Sequence, residues 1–439
     1  MFICFLCYLF GFLYSCSKES IQDSNINSIK QIIALQTYGG SKNDTFQSVK
    51  NTLDGGYIVV GHSQSSDFDV STKNNDSYDY WVLKFDEDEN LEWSKTFGGL
   101  DDDRARDVIQ LNDGSFVVTG FSRSNDLDAS ANAGNYDYWL IKLDTNGTLL
   151  WEKSFGFSGS DQSYVIKKTT DGNLLLGGSL DVTASGGLGN SKTASKHAGG
   201  DYWLIKLDTN GNSIWTKYFG GLFTDTLLDI AETNAGDYIL TGFSDSSDTN
   251  ISNNLGSYDY WIVKVDTNGN LVWEKSFGGS EIDEAYSITK TSNNQFLIVG
   301  NARSSDKNVT INNGSSDIWV ITIDEAGNLI WEKSFGGSSF EDAKKVIAST
   351  SGGFYIVGSS RSSDKNLTEN KGNKDIWVLK ISDIGDLIWE KSIGGTELDE
   401  ANSIIELNTN IIIVGESWSS DQDISINKGF SDGVLIKMN

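Results

Sequence analysis

The sequence predicts an all-β fold, a seven-bladed β-propeller built from four-stranded antiparallel blades. Three observations lead to this prediction: a repeat of 58 residues, an aromatic-Gly-Gly motif or close variant that occurs seven times, and a partial repeat at each end. A single hydrophobic core stops growing near about 250–300 residues, so a chain of 439 residues must form several domains or a repeat architecture. The repeat decides in favour of the second possibility.

The repeat is clearest in the tryptophans, which come in pairs twelve residues apart. Successive pairs are separated by 58 residues, except for one interval of 64 that contains an insertion at 183–200. Each repeat also holds four runs of strand length, rich in β-branched and aromatic residues and separated by Gly, Asn and Asp. Runs such as 411–414 are apolar without alternation, which indicates strands buried on both faces. Four-stranded sheets stacked around a ring bury strands in this way.

Two motifs give the number of blades. The aromatic-Gly-Gly motif or its variant begins at Tyr38, Phe97, Phe155, Phe219, Phe277, Phe335 and Ile393. An aspartate opens the third strand of each repeat, at Asp79, Asp137, Asp201, Asp259, Asp317, Asp375 and Asp432. The predicted blades therefore cover 44–99, 103–157, 161–221, 225–279, 283–337, 341–395, and 399–439 together with 31–40.

The two ends of the chain predict how the ring closes. Residues 32–40 match a fourth strand that has no first three before it, and residues 434–437 match a third strand that has no fourth after it. We therefore expect the N-terminal strand to complete the last blade, within a propeller domain that spans 31–439.

The first thirty residues predict export and a lipid anchor. All three cysteines lie within the first sixteen residues, so the rest of the chain can form neither a disulfide nor a thiolate metal site. The apolar run at 2–14 is shorter than the roughly 20 residues of a membrane-spanning helix and is typical of a signal peptide. The segment Leu13-Tyr14-Ser15-Cys16 resembles the lipobox of bacterial lipoproteins, in which the cysteine is lipidated. We expect a signal peptide at 1–15, lipidation at Cys16 and a polar tether over 16–30, with an ordinary secretory signal or an uncleaved anchor as alternatives.

The net charge of the chain indicates which kinds of partner it can bind. The chain has 34 basic and 61 acidic side chains and a formal net charge of −27. Binding of nucleic acid depends on clustered Lys and Arg, so nucleic acid is not an expected partner.

The repeat units resemble those of β-propeller-repeat surface lipoproteins of Bacteroidetes. The similar units are Gly-Gly-Tyr-Ile-Val-Val-Gly, Asp-Tyr-Trp-Leu-Ile-Lys-Leu-Asp and Trp-Glu-Lys-Ser-Phe-Gly-Gly, and the resemblance spans 31–439. It implies the propeller fold and a place in the outer membrane, exposed at the cell surface, with contact to the membrane through the lipid anchor alone. It implies no activity.

One set of acidic residues is a candidate cation site. These residues follow the second glycine position of each motif by four residues and form a predicted ring near the mouth of the central channel: Asp44, Asp103, Asp161, Asp225, Asp283, Glu341 and Asp399. Ca²⁺ prefers several carboxylate and carbonyl oxygens, so a calcium site is one interpretation. The alternative is that these side chains accept hydrogen bonds from nearby turn amides, because a residue repeated in every blade usually serves the folding of every blade. No other cofactor is expected.

Further candidates lie in the loops. Ser-Asp boxes, absent from the third blade, contain Asp67, Asp126, Asp248, Asp306, Asp364 and Asp421. Trp418 stands outside the tryptophan pairs, beside the last box, and is the candidate ligand-binding aromatic residue. The two histidines, His62 and His197, are expected in solvated loops.

We interpret the chain as a monomeric, non-catalytic binding or scaffold module at the cell surface that presents a loop rim to a glycan or a protein. One alternative is a polysaccharide-degrading enzyme, a hydrolase or lyase, that uses carboxylates at the channel mouth. Another is a purely structural envelope protein. The enzyme is the first of the two alternatives, and it is less favoured than the binding module because carboxylates are so abundant that pairs are expected by chance.

Overall fold

The computed structural model describes residues 31–71, 73, 75–182 and 198–439. In this part of the chain, seven four-stranded antiparallel sheets form a ring, so the predicted seven-bladed propeller is confirmed. The signal peptide, Cys16, the polar tether and His197 lie outside the described residues. No helix in the described ranges is long and apolar enough to cross a membrane.

The first three blades are built from consecutive strands that run from the channel outwards. Blade 1 contains β2 (Asp44–Asn51), β3 (Tyr57–Ser63), β4 (Asp79–Phe85) and β5 (Leu91–Phe97). Blade 2 contains β6 (Asp103–Gln110), β7 (Phe116–Ser122), β8 (Asp137–Leu143) and β9 (Leu149–Phe155). Blade 3 contains β10 (Gln162–Lys168), β11 (Leu174–Asp181), β12 (Gly200–Leu207) and β13 (Ser213–Phe219).

The next three blades follow the same order. Blade 4 contains β14 (Asp225–Glu232), β15 (Tyr238–Ser244), β16 (Asp259–Val265) and β17 (Leu271–Phe277). Blade 5 contains β18 (Asp283–Lys290), β19 (Phe296–Ala302), β20 (Asp317–Ile323) and β21 (Leu329–Phe335). Blade 6 contains β22 (Glu341–Ala348), β23 (Phe354–Ser360), β24 (Asp375–Ile381) and β25 (Leu387–Ile393).

Blade 7 joins the two ends of the described chain. It contains β26 (Asp399–Leu407), β27 (Asn410–Ser417), β28 (Asp432–Met438) and, at its outer edge, β1 (Ile32–Tyr38). β1 runs antiparallel to β28, with Leu35 opposite Ile436 and Tyr38 opposite Gly433. The N-terminal strand therefore completes the last blade, as the partial repeats predict.

The blades pack face to face through their third strands. Every residue of β4 is buried, because both faces of the strand are covered by neighbouring blades. The Tyr80 hydroxyl donates a hydrogen bond to the Trp139 carbonyl of the next blade at 2.8 Å, and the two rings are 4.6 Å apart. The first tryptophan of each pair, on the third strand, is buried, as expected of a core residue. The second, on the fourth strand, is half-buried in most blades.

A β-bulge interrupts the innermost strand of each blade. In β2 the register shifts between Phe46 and Ser48, which leaves Gln47 without a partner on β3. The backbones come so close here that a Cβ at Gly61 would lie 1.9 Å from the Thr45 carbonyl oxygen, so the position requires glycine. The unpaired bulge residues are Gln47, Arg106, Tyr164, Leu228, Tyr286, Lys344 and Asn402.

Removal of β1 should open the ring. We expect a chain that begins at residue 42 to melt about 10 °C or more below a chain that begins at residue 29, since lost strand pairing worth several kcal/mol shifts Tm by this much. Circular dichroism during heating and size-exclusion chromatography measure the effect. Equal melting temperatures and equal monomer fractions for the two chains would contradict closure by β1.

Candidate functional site at the channel mouth

The seven ring carboxylates hold the turns between blades. Asp44 is fully buried, and its Oδ2 accepts hydrogen bonds from the Gly40 N–H and the Ser65 hydroxyl, both at 2.7 Å. In every blade the equivalent carboxylate accepts an N–H from the residue four positions earlier. These contacts support the turn-stabilising interpretation. The cation site stays a prediction, and in the described ranges no three His, Cys, Asp or Glu side chains form a group suited to a metal ion.

The Ser-Asp boxes bind the same turns from the other side. Asp67 Oδ1 accepts the Ser41 N–H at 2.8 Å, and Asp69 Oδ2 accepts the Gly39 N–H at 3.0 Å. The box aspartates Asp126, Asp248, Asp306, Asp364 and Asp421 make the contact equivalent to that of Asp67. Their repeated role is therefore structural.

At each blade junction, two buried carboxylates approach one another across the first glycine of the turn. A Cβ at Gly39 would lie 2.4 Å from Asp432 Oδ1 and 2.7 Å from Asp44 Oδ2, so only glycine fits between them. Burial, together with repulsion from the facing carboxylate, raises the pKa of Asp317 to about 6 and that of Asp161 to about 7. The pKa values of Asp103, Asp259, Asp375 and Asp432 rise to about 6 for the same two reasons.

The central channel contains a cavity of about 380 Å³ that is lined by the innermost strands of all seven blades. Two buried aspartates lie in it among lysines. Asp229 contacts the Nζ atoms of Lys167 at 2.8 Å and Lys345 at 2.7 Å, and Asp107 contacts Lys50 Nζ at 3.0 Å. Although burial favours the neutral acid, the two lysines hold the pKa of Asp229 well below its usual range. These ion pairs satisfy buried charges and stabilise the channel wall.

A pair of glutamates lies at the mouth of the channel. Glu400 on β26 is opposite Glu416 on β27, and both line the cavity. Burial, and then the charge of Glu400, raises the pKa of Glu416 to about 7. Lys374 donates to Glu400 at 2.7 Å and to Asp342 at 2.9 Å, which keeps a positive charge beside Glu400. The two glutamates therefore differ in their environment although they are neighbours.

Two arginines of blade 2 lie near this pair, and the charge of Arg106 acts on Glu416. Arg106 donates to Gln47 Oε1 at 2.9 Å, and its guanidinium lies 5.2 Å from the Phe121 ring centroid and 5.8 Å from that of Tyr164. Arg104 stacks over the Tyr78 ring at 4.2 Å. The aromatic rings fix the planes of both guanidinium groups.

His62 lies on β3 beside these arginines and is only 6% exposed, so the expectation of a solvated loop histidine is wrong for this residue. Burial, and then the charges of Arg106 and Arg104, lower its pKa well below the usual value. The imidazole is therefore neutral at pH 7. The prediction failed because no other blade has a histidine at this position of the second strand, where Phe, Ser, Asn and Glu occur instead.

Seven rim positions surround the mouth, each at or just past the end of the second strand of a blade: Gln64, Arg123, Asp181, Asp245, Arg303, Arg361 and Trp418. In six of them the backbone N–H donates to a carbonyl just before the first strand of the same blade. Trp418, for example, donates to the Leu398 carbonyl at 2.9 Å and is half-buried. The rim thus has a repeated backbone and different side chains. Ligand binding by Trp418 stays a prediction.

Sequence reasoning missed the residues that line the channel. Arg104 and Arg106 follow the ring aspartate Asp103 by one and three residues, and Glu400 follows Asp399 by one. In a strand, the residues one and three positions after a ring carboxylate lie on the same face. The position of each ring carboxylate could therefore have identified these arginines and Glu400. The register shift around Arg106, which forms the bulge, has no comparable signal in the sequence.

Comparisons with known proteins agree with the fold. No family model matches the chain. It is similar to the regulatory protein FlaEY of Caulobacter vibrioides, with 26% identity over 203 residues, which are 44% of this chain and 20% of that protein. The match thus covers about a fifth of the length of that relative.

Among solved structures, the chain is similar to the WD40 β-propeller domain of Doa1, with a TM-score of 0.52 and 10% identity over 93% of this chain and 96% of that one. It is also similar to a protein of unknown function from Bacteroides caccae, with a TM-score of 0.42 and 12% identity over 71% of this chain and 90% of that one. The Doa1 likeness shows the propeller fold and nothing about the ligand.

The facing carboxylates predict an unusual pH dependence of stability. Their pKa values are raised on folding, so the folded protein holds protons that the unfolded chain releases between about pH 4 and 7. This stabilisation is complete below about pH 4 and is lost as the pH rises through about 6 to 7. We expect the melting temperature to fall from pH 5 to pH 8.

The variant Asp317→Asn tests the cause, because asparagine is neutral at every pH. At pH 8 it should be more stable than the wild type by about 1–3 kcal/mol, and at pH 5 the difference should shrink. The control Asp386→Asn removes an exposed carboxylate and should change stability by less than about 0.5 kcal/mol. A wild-type melting temperature that rises from pH 5 to pH 8 would contradict the prediction.

Proposed function

We propose that this protein is a non-catalytic binding module that contacts a glycan or protein partner through its rim and channel mouth. We further propose that a lipid on Cys16 holds it at the outer surface of the outer membrane. The observation that carries the proposed binding function is the difference among the seven rim side chains on a backbone that is otherwise repeated. β-propellers commonly serve as binding or scaffold modules.

The contrast with the ring carboxylates supports this proposal. A side chain that builds each blade recurs in each blade, and the ring holds six aspartates and one glutamate. The rim positions instead hold Gln, Arg, Asp and Trp, although each occupies the equivalent place in its blade. The rim side chains Arg123, Arg303 and Arg361 are exposed, so they are available for a ligand, as is common for loops on a rigid scaffold.

The shape of the rim favours a glycan ligand over a protein partner with a flat surface. A cavity of about 360 Å³ opens on the rim, within the range of about 300–1,000 Å³ that is typical of small-ligand pockets. Phe340, at its edge, is 41% exposed. An exposed aromatic ring beside polar groups provides a surface for the apolar face of a sugar.

The variant Trp418→Ala tests the binding function. We expect the wild-type protein to bind at least one glycan on an array, and the variant to bind it about tenfold more weakly, because large aromatic side chains dominate contact energies. Ile214→Ala, on the outermost strand of blade 3, removes an exposed apolar side chain far from the rim and should have no effect. Equal binding by the wild type and Trp418→Ala would contradict a role for this part of the rim, and no glycan or protein ligand at all would favour a purely structural role.

A second candidate function, polysaccharide hydrolysis, is supported by the glutamates at the mouth. A carboxyl group with a raised pKa can act as general acid beside a second carboxyl group that acts as base or nucleophile. The raised pKa of Glu416, about 7, suits the acid, and Glu400, which accepts a hydrogen bond from Lys374, is the second carboxyl group.

If this second function is correct, Glu416→Gln should lower the release of reducing sugar from a polysaccharide panel by a factor of about 100 or more. Glu397→Gln, in an exposed loop of the same blade, should leave the rate unchanged. A wild-type protein that releases no reducing sugar from any substrate in the panel, or a fully active Glu416→Gln variant, would contradict the enzyme.

A further inference from the structure

The cavity of about 360 Å³ lies on the rim between blades 5 and 6. Its walls include Arg303 from blade 5 and Arg361 from blade 6, with Phe340 between them. The Arg303 guanidinium lies 5.9 Å from the Phe340 ring centroid, and the Arg361 N–H donates to the Phe340 carbonyl at 3.0 Å. Two guanidinium groups and an aromatic ring therefore border one opening.

In the described part of the chain, neither arginine lies within salt-bridge distance of a carboxylate, and both side chains are exposed. Asp342, which lines the same cavity, pairs with Lys344 and Lys374 instead. In a chain with a net charge of −27, two adjacent free guanidinium groups are not explained by internal charge balance. Their charges and hydrogen-bond donors remain available to a ligand.

The carboxylates in the same cavity already have partners. Asp342 accepts a hydrogen bond from Lys374 at 2.9 Å and from the Ser359 hydroxyl at 2.7 Å. Glu284 accepts the Tyr286 hydroxyl at 3.2 Å. Both acidic groups thus have hydrogen-bond partners in the wall of the cavity, whereas both arginine side chains are exposed.

The part of the rim next to this cavity carries the opposite charge. Blades 3 and 4 carry Asp181 and Asp245 at the rim positions, whereas blades 5, 6 and 7 carry Arg303, Arg361 and Trp418. An anionic ligand would be repelled by the first part and attracted by the second. This uneven distribution of charge favours an anionic ligand at blades 5 to 7 over one at blades 3 and 4.

We propose that the arc formed by Arg303, Phe340, Arg361 and Trp418 binds an acidic glycan, with its carboxylate or sulfate groups on the two arginines and its sugar rings on the two aromatic side chains. Arginine binds such anions through paired, charge-assisted hydrogen bonds. This inference rests on the proposed binding function and adds the chemical class of the ligand.

Affinity electrophoresis of residues 29–439 tests the arc. Separate gels contain polygalacturonate as the carboxylate probe, chondroitin 4-sulfate as the carboxylate-and-sulfate probe, dextran sulfate as the sulfate probe, and dextran as the neutral probe. We expect retardation by one or more of the acidic polymers and none by dextran. The double variant Arg303→Ala/Arg361→Ala should bind the retarding polymer about tenfold more weakly or worse, since each arginine loses a charge-assisted contact.

Arg123→Ala provides a matched control, because Arg123 is an exposed arginine at the same rim position of blade 2. Its affinity should stay within about twofold of the wild type, since surface charges far from a contact have small effects. Circular dichroism on heating verifies that the double variant remains folded. The net charge of −27 repels polyanions, so unspecific adsorption does not produce the expected result.

The outcomes separate this inference from the proposed function. Retardation by polygalacturonate but not by dextran sulfate assigns a carboxylate, and the reverse assigns a sulfate ester. Binding to neutral dextran that survives the double substitution would overturn the arginine site while leaving a glycan-binding module. No retardation by any polymer would count against both, and an equal loss in Arg123→Ala would overturn the arc.

Discussion

The fold depends on one constraint: a blade can bury both faces of its sheet only when it has a neighbour on each side. The second and third strands are apolar on both faces, as in β3 and β4, so an end blade would expose them to water. The ring removes this problem when β1 pairs with β28 in blade 7. Blade 7 already packs on blade 1 through a shared core that includes Phe46 and Val414, and the closing strand reinforces this junction because it pairs with β28 and continues along the chain into blade 1.

The same ring separates two kinds of residues. Those between the blades repeat, since each junction needs a glycine with two carboxylates around it, such as Gly39 with Asp44 and Asp432. Those at the mouth differ, because the hydrogen bond that recurs at six of the seven rim positions comes from the backbone N–H and does not depend on the side chain. The acidic ring and the rim are close in space, yet the first stabilises the fold and the second is available for recognition.

The sequence predicted the fold well because its signals are local and occur many times. The tryptophan spacing gave the length of the repeat, and the aromatic-Gly-Gly motif and the third-strand aspartates each indicated seven blades. The structure agrees, including the position of β1 that the partial end repeats predicted. The site was harder to predict, because its residues are those that do not repeat. His62 was assigned to a loop, whereas it is buried on β3, and Glu416 gave no signal that its carboxyl would lie opposite Glu400. The pairing of Arg303 and Arg361 around Phe340 depends on contacts between consecutive blades, which no single repeat reveals.

The bulge in each innermost strand has a consequence for how such a channel can change during evolution. Gln47 and its six counterparts have no partner across the sheet, so an exchange of side chain there leaves the hydrogen-bonded ladder intact. The observed set, which includes Arg106, Tyr164, Leu228 and Lys344, already spans charged, aromatic and aliphatic chemistry. The propeller thus has seven positions around one pore at which a side chain can be exchanged without loss of a backbone hydrogen bond.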